Sequence, residues 1–283
     1  MNRIDQTFAS LNQQNKTALI PYLTVGDPDV KATLDIIHEL EMAGADIIEL
    51  GVPYSDPLAD GPVIQRASER ALKSKVNIRT CMETARLARE RGSKLPFILF
   101  TYYNPVLQTG LDVFFEEVVR HDISGLIIPD LPVEESEEVR KRAHAAGVHL
   151  IPLVAPTSHE RIASIASEAT GFVYCVSSLG VTGERSDFYS GVESFLETVK
   201  QYSQVPIAIG FGISSGEQVA RFSKICDGVV VGSAIVRQIE STIPLLEKEE
   251  TRQQGLLQIR EFVAQLKGSC CVEAVMKGEA NIE

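Results

Sequence analysis

Residues 31–50 read KATLDIIHELEMAGADIIEL. Lys31–Met42 repeats apolar positions at helical spacing with charges on the other face, which predicts an amphipathic helix. Gly44 follows, where a helix exit takes a left-handed residue. Ala45–Leu50 is then a short, nearly continuous apolar run rich in isoleucine, as in a parallel strand covered on both faces. Helix, glycine and buried strand make up much of a βαβ unit, and the same grammar recurs in both directions along the chain.

The strand-like runs are Ala18–Leu23, Ala45–Leu50, Pro96–Phe100, Gly125–Ile128, Val148–Val154, Gly171–Val176, Pro206–Ile209 and Gly228–Val231. Helical stretches lie between them, among them Ile78–Arg91, Glu134–Ala146 and Arg161–Glu168, with Gly92 and Gly147 at two further exits. Eight strands with a helix after each predict an α/β fold, a single (β/α)8 TIM barrel. A doubly wound sheet is the alternative, but Val25-Gly26-Asp27-Pro28 after the first strand is no GxGxxG turn. Asp5–Gln14 predicts an extra N-terminal helix at the barrel's base, and Thr251–Leu266 a closing helix. The barrel domain is expected over 1–267. The tail 268–283 has no clear period and reads as disordered. No linker or second domain is visible.

The 283 residues suit one such barrel, and 44% hydrophobic content supplies its core. Twenty-seven basic against 38 acidic side chains leave a formal charge of −11, which disfavours nucleic acid as a partner. An anionic small molecule must then be held by local devices such as backbone N–H groups. Cys81, Cys175, Cys226, Cys270 and Cys271 are odd in number and lack zinc spacing, so reduced thiols in a cytoplasmic protein are expected. The polar N-terminus does not resemble a signal peptide, and no apolar run approaches the roughly 20 residues of a membrane span.

A barrel keeps its chemistry at the C-terminal ends of its strands. If Ile48 and Leu50 pack outward, Glu49 points into the barrel near its mouth. There it is either an acid–base group with a raised pKa or half of a structural ion pair. The following loop, Gly51 to Pro62, is long and carries three prolines. Asp60 near its end is either a second carboxylate facing the same substrate or part of the turn and N-cap before the next helix. Gly210-Phe211-Gly212 and Gly232-Ser233 follow the seventh and eighth strands, the places where barrels bind phosphate esters. Ser177–Asp187 reads as a polar, glycine-containing lid. Lys16, Lys31, Lys94, Lys200 and Lys224 fall in helices or before strands, which disfavours a Schiff base. His38, His121, His144, His149 and His159 do not cluster at strand ends, so no metal site is expected.

The run Ile48-Glu49-Leu50-Gly51-Val52-Pro53-Tyr54-Ser55-Asp56-Pro57-Leu58-Ala59-Asp60-Gly61-Pro62 resembles the signature of the tryptophan synthase α-subunit family. Gly26-Asp27-Pro28, Pro132-Val133-Glu134-Glu135, Gly180-Val181-Thr182-Gly183, Gly210-Phe211-Gly212-Ile213 and Gly232-Ser233-Ala234-Ile235-Val236 match it in the same order. The resemblance spans roughly residues 1 to 266 and implies retro-aldol cleavage of indole-3-glycerol phosphate to indole and glyceraldehyde 3-phosphate. It implies Glu49 as general acid/base and Asp60 as the group that binds the indole N–H. It further implies an indole pocket of Tyr22, Phe100, Ile127, Tyr174 and Phe211, and phosphate contacts from Gly183, Gly212, Gly232 and Ser233. Thr182 of the lid is expected to meet Asp60. The implied partner is the β subunit, in an α2β2 complex, docked at Asp56, Pro57, Asn104 and the rest of the Tyr102–Leu107 loop, and Pro132. Pyridoxal phosphate is expected in that partner, and no cofactor in this chain. A free-standing lyase that releases indole would use the same catalytic residues. Tyr22 stands where the family often has phenylalanine, Pro129 precedes Asp130 where a small residue is frequent, and Ser178-Leu179 and Glu184 depart from the usual lid.

Overall fold

The structure is a computed structural model, and it describes residues 1–156, 159–177 and 191–270. Nine strand segments lie in one parallel sheet: β1 (Ala18–Thr24), β2 (Ile48–Gly51), β3 (Phe97–Phe100), β4 (Gly125–Ile127), β5 (His149–Leu150), β6 (Leu153–Val154), β7 (Val173–Val176), β8 (Ile207–Gly210) and β9 (Gly228–Val231). The order is β5-β4-β3-β2-β1-β9-β8-β7-β6. β5 and β6 are the two halves of the expected run Val148–Val154, interrupted at Ile151-Pro152. Hydrogen bonds continue across the break: Ile151 N–H donates to Leu126 at 2.9 Å on one side, and Pro152 accepts from Tyr174 at 3.0 Å on the other. The two ends of the sheet thus meet through one broken fifth strand, and the sheet is an eight-stranded barrel.

The helices are α1 (Arg3–Gln13), α2 (Val30–Met42), α3 (Pro62–Lys73), α4 (Ile78–Glu90), α5 (Tyr103–Thr109), α6 (Leu111–Arg120), α7 (Glu137–Ala145), α8 (His159–Ser167), α9 (Val192–Tyr202), α10 (Gly216–Phe222), α11 (Ser233–Leu246) and α12 (Glu249–Ser269). Gly44, Gly92 and Gly147 take φ of +92°, +100° and +71° just past α2, α4 and α7, the left-handed exits the sequence predicts. Most element bounds differ from expectation by a residue or more, and three of the differences have a structural reading. The second strand pairs from Ile48 and not Ala45, because the Asp46 carboxylate takes the Leu19 amide at 2.7 Å. The expected helix Glu134–Ala146 starts instead as a 3-10 turn, Val133–Glu135, closed by the Ser136 hydroxyl on the Val133 carbonyl. α12 continues to Ser269, so the first residues of the expected tail are helical, and 271–283 lie outside the described residues. The Tyr102–Leu107 segment, read as a loop, is mostly the helix α5. Among the described residues, no helix is long and apolar enough to cross a membrane.

Period-two alternation sorts the strand side chains into two cores. Leu19 and Leu23, Ile48 and Leu50, and Val229 and Val231 face the helices. Ala18, Ile20, Tyr22, Ile47, Ile98, Phe100, Ile127, Tyr174, Ala208 and Val230 fill the barrel interior. α1 closes the floor with Ile4, Phe8 and Leu11, and the Phe8 and Phe172 rings meet at 5.6 Å. Asn2 caps α1 and donates to Ser124 and Gly147 at 2.8 and 2.9 Å, which ties the plug to the ends of neighbouring elements. Cys81, Cys175 and Cys226 are buried thiols, held protonated by that burial.

Candidate active site

A cavity opens at the C-terminal mouth of the barrel, and β2 sends Glu49 into it. Glu49 pairs in register with Tyr22 of β1 and Ile98 of β3. Its neighbours Ile48 and Leu50 do pack outward, so the alternation leaves it no direction but inward. It is 0% exposed, and neither carboxyl oxygen has a hydrogen-bond partner among the described residues. A structural ion pair is therefore not what holds it. Desolvation pushes its pKa up to about 8, so at neutral pH it carries a proton.

Two tyrosines stand beside it. The Tyr22 ring meets Phe100 edge-on at 5.6 Å, and the Tyr174 ring meets Phe211 the same way at 5.9 Å. Each hydroxyl rests on a strand glycine. A Cβ on Gly51 would lie 2.1 Å from the Tyr22 oxygen, and one on Gly210 would lie 2.2 Å from the Tyr174 oxygen. Glycine is required at both positions because a neighbouring strand's phenol occupies the space a side chain would need.

Asp60 reaches the same cavity from the end of the second loop. The N-cap of α3 is Gly61, with Pro62 at the first turn, so the Asp60 carboxyl is not consumed in capping. Its backbone carbonyl accepts from the Gln65 amide at 2.7 Å, which fixes the loop's end on α3. Burial raises its pKa to about 6, against a hydrogen bond from the Tyr102 hydroxyl that favours ionisation. Two carboxyls over one cavity thus differ at neutral pH: Glu49 is protonated and Asp60 is mostly ionised.

The opposite rim is built by the loops after β8 and β9. Phe211 and Gly212 have φ of +72° and +87°, and the Ser177 hydroxyl donates to the Phe211 carbonyl. A left-handed phenylalanine is strained by about 1–3 kcal/mol, and such strain concentrates at functional turns. α10 closes its own N-terminus with a capping box of Ser215 and Gln218. α11 does not: its N-cap is Gly232, no side chain among the described residues caps it, and its first turn holds no acid. Gly232 and Ser233 line the cavity, so the positive end of a 14-residue helix is turned toward it.

Of the residues singled out in the sequence, Tyr22, Glu49, Asp60, Phe100, Tyr174, Phe211, Gly212, Gly232 and Ser233 come together around this cavity. Ile127 is in the barrel interior beside Phe100 in register but does not line the cavity. Thr182 and Gly183, with most of the expected lid, lie outside the described residues. Asp56, Asn104 and Pro132 are exposed and Pro57 is half-buried, with Asn104 donating to the Tyr54 hydroxyl at 3.2 Å. Sequence reading missed Ile64 and Val230, which complete the apolar wall, and Tyr102. Tyr102 lies two residues beyond β3, where inspection past each strand end reaches it. His121 and His149 are spent on Glu83 and Asp5, away from the mouth.

An acid and a carboxylate in different surroundings, over an apolar slot that ends at an open helix N-terminus, define a (β/α)8-barrel enzyme of the acid–base kind. A family profile described as tryptophan synthase alpha chain matches residues 8–268. The tryptophan synthase alpha chain of Geobacillus sp. (strain WCH70) is 51% identical over 251 residues, covering 89% of this chain and 95% of that one. That of Bacillus subtilis (strain 168) is 49% identical over 256 residues, covering 90% and 96%. Among solved structures, tryptophan synthase of Mycobacterium tuberculosis matches with a TM-score of 0.84 at 34% identity, over 96% of this chain and 99% of that one. The alpha subunit from Legionella pneumophila strain Paris also reaches 0.84 at 34% identity, over 95% and 98%. The chain belongs to the tryptophan synthase alpha chain family. Its reaction is the carbon–carbon lyase step of tryptophan biosynthesis, the cleavage of indole-3-glycerol phosphate.

Proposed function

We propose that this cleavage runs between Glu49 and Asp60, with the substrate's phosphate at the N-terminus of α11. Protonated Glu49 gives its proton to indole C3, and the ring becomes an iminium cation. The carbon–carbon bond then breaks, its electrons return to the ring, and the side-chain hydroxyl becomes the aldehyde carbonyl of glyceraldehyde 3-phosphate. The proton that this hydroxyl loses goes back to Glu49, so the acid is restored and the proton count closes. Asp60, as a carboxylate, accepts from the indole N–H and stabilises the positive charge that develops there. Phe100, Tyr22, Tyr174 and Phe211 form the apolar walls, while Gly212, Gly232 and Ser233 offer backbone N–H groups to the phosphate. Gly183 and Thr182 are assigned phosphate binding and contact with Asp60, and Ile127 the floor of the indole pocket. The cavity holds about 30 Å3 as it stands, room for little more than a water, so seating the ring requires its walls to open.

The observation that carries this reading is the buried carboxyl of Glu49, an acid at neutral pH whose oxygens have no hydrogen-bond partner among the described residues. The test is indole release from indole-3-glycerol phosphate by purified Glu49→Gln and Asp60→Asn. Both are expected to lose nearly all turnover while still binding substrate, and substantial turnover in Glu49→Gln would refute its role. The docking face for a β subunit is assigned to Asp56, Pro57, Asn104 and Pro132. It is supported by the exposed Leu58 and Leu107 on the same loop and helix, apolar groups that a partner would cover. We place pyridoxal phosphate in that subunit and none in this chain, and the working assembly as an α2β2 complex in the cytoplasm. A free-standing lyase would release indole at a rate indifferent to an added β subunit, whereas this reading expects strong acceleration.

A further inference from the structure

We propose that Tyr102 is a positioning residue for the lyase reaction, its hydroxyl holding both the backbone and the carboxyl at the end of the second loop so that Asp60 faces the substrate ring. The proposal rests on the reading of Asp60 as the acceptor for the indole N–H.

Tyr102 is the N-cap residue of α5, two residues past the end of β3, and it is 2% exposed. Its hydroxyl accepts from the Ala59 amide at 3.0 Å and donates to the Asp60 carboxyl. One atom therefore binds two consecutive residues, one through the main chain and one through the side chain. That fixes the direction of Asp60 more tightly than either bond alone.

The phenol is itself held. Its ring stacks on Tyr54 at 5.0 Å with an interplanar angle of 27°. The next amide, Tyr103 N–H, donates to the Asp130 carboxylate at 2.9 Å, from the loop after β4. Tyr54 belongs to the same loop as Asp60, so loop and helix grip each other at the ring and again at the hydroxyl. A phenylalanine at 102 would keep the ring contact and lose both hydroxyl bonds.

The consequence is dependent on pH, because the hydroxyl favours the ionised form of Asp60 against the burial that opposes it. The other titratable groups facing this pair are Tyr22 of β1, which feels Asp60, and Asp130, which feels Tyr102. Glu49 of β2 faces Tyr22 and Tyr174.

The experiment is the pH profile of kcat/KM for indole-3-glycerol phosphate cleavage by Tyr102→Phe, with wild type and Asp60→Asn alongside. At pH 6 a loss of about tenfold or more is expected for Tyr102→Phe, the size of one hydrogen bond to a charged group. At pH 8 the loss is expected to shrink to a few-fold, because the acid limb has moved to higher pH. A loss equal at all pH values, or an unmoved acid limb, would overturn the proposal in favour of a packing role. Where Tyr102→Phe fails to fold, 2,3-difluorotyrosine at position 102 keeps the shape and strengthens the donor. The acid limb must then move to lower pH, and an unmoved limb again overturns the proposal. An Asp60→Asn enzyme that retains turnover overturns the role of Asp60 and this proposal with it. An inactive Asp60→Asn beside an unaltered Tyr102→Phe profile sinks the Tyr102 proposal alone.

Discussion

Replacing Glu49 with glutamine is expected to stabilise the folded chain by an amount that grows with pH. Glu49 titrates at about 8 in the fold against an ordinary 4.5. Its folded pKa is raised, so the contribution of Glu49 to stability is at its best below about pH 4.5, where the carboxyl is protonated in both states. Stability is lost as pH climbs toward 8, because the unfolded chain releases a proton that the fold retains. The slope is about 1.4 kcal/mol per pH unit over that window. Between pH 5 and pH 8 the accumulated difference is about 3.5 kcal/mol, taking the shift from 4.5 to about 8. Glutamine does not titrate, and any constant cost of burying its amide cancels in the pH dependence. Asp60 titrates in both proteins and cancels as well. The assay is urea unfolding of wild type and Glu49→Gln at a series of pH values, followed by the difference in unfolding free energy. That difference should widen steadily from pH 5 to 8 and level off above. A difference that stays flat would mean that Glu49 ionises as an ordinary carboxylate, and the acid assigned to the site would be gone.

Other outcomes follow from the same geometry. The wild-type profile of kcat/KM should be a bell with apparent pKa values of about 6 from Asp60, needed ionised, and about 8 from Glu49, needed protonated; a profile still rising at pH 9 would contradict the second assignment. Gly51→Ala should cost about 1–3 kcal/mol in thermal or urea unfolding and raise KM by displacing Tyr22. Adding Tyr22→Phe should not rescue it, because the ring carbon Cζ also lies only 2.4 Å from the new Cβ. Gly232→Asp should add a side-chain cap to α11, stabilising the fold by about a few tenths of a kcal/mol, while its carboxylate competes for the amides meant for phosphate. Stability would rise as KM rises, and an unchanged KM would place the phosphate elsewhere. Leu58→Asp should leave the basal lyase rate intact and weaken a β subunit's binding by tenfold or more, measured by titration calorimetry.

The orientation of Glu49 is legible only as a condition, because strand periodicity admits two faces and Ile47 on one is as apolar as Ile48 and Leu50 on the other; packing against the helices decides it. Without the family resemblance, Asp60 is legible only as a pair of alternatives. What decides between them is that Gly61, not Asp60, caps α3, a fact of backbone geometry that residue types do not encode. The broken fifth strand was hidden because Val148–Val154 is apolar throughout, and apolarity carries no record of where pairing changes sides. The sequence places Tyr102 only in a docking loop implied by the resemblance, because its burial comes from the second loop folding onto it, with Ala59 43 residues away in the chain. The need for glycine at 51 and 210 is invisible for the same reason, since the phenols that fill the space arrive from adjacent strands. Ser215-x-x-Gln218 did carry its capping signature in plain sequence, and its contrast with Gly232 separates the closed helix end from the open one.

The plug at the barrel's floor has a bearing on traffic. Ile4, Phe8 and Leu11 of α1 pack with Phe172 and fill the floor of the barrel among the described residues. On the function proposed above, an apolar product formed beside Glu49 would leave at the mouth, where Asp60 lines the cavity on the loop that also carries the exposed Leu58. A partner seated on that loop would stand beside the mouth through which Glu49 and Asp60 are reached.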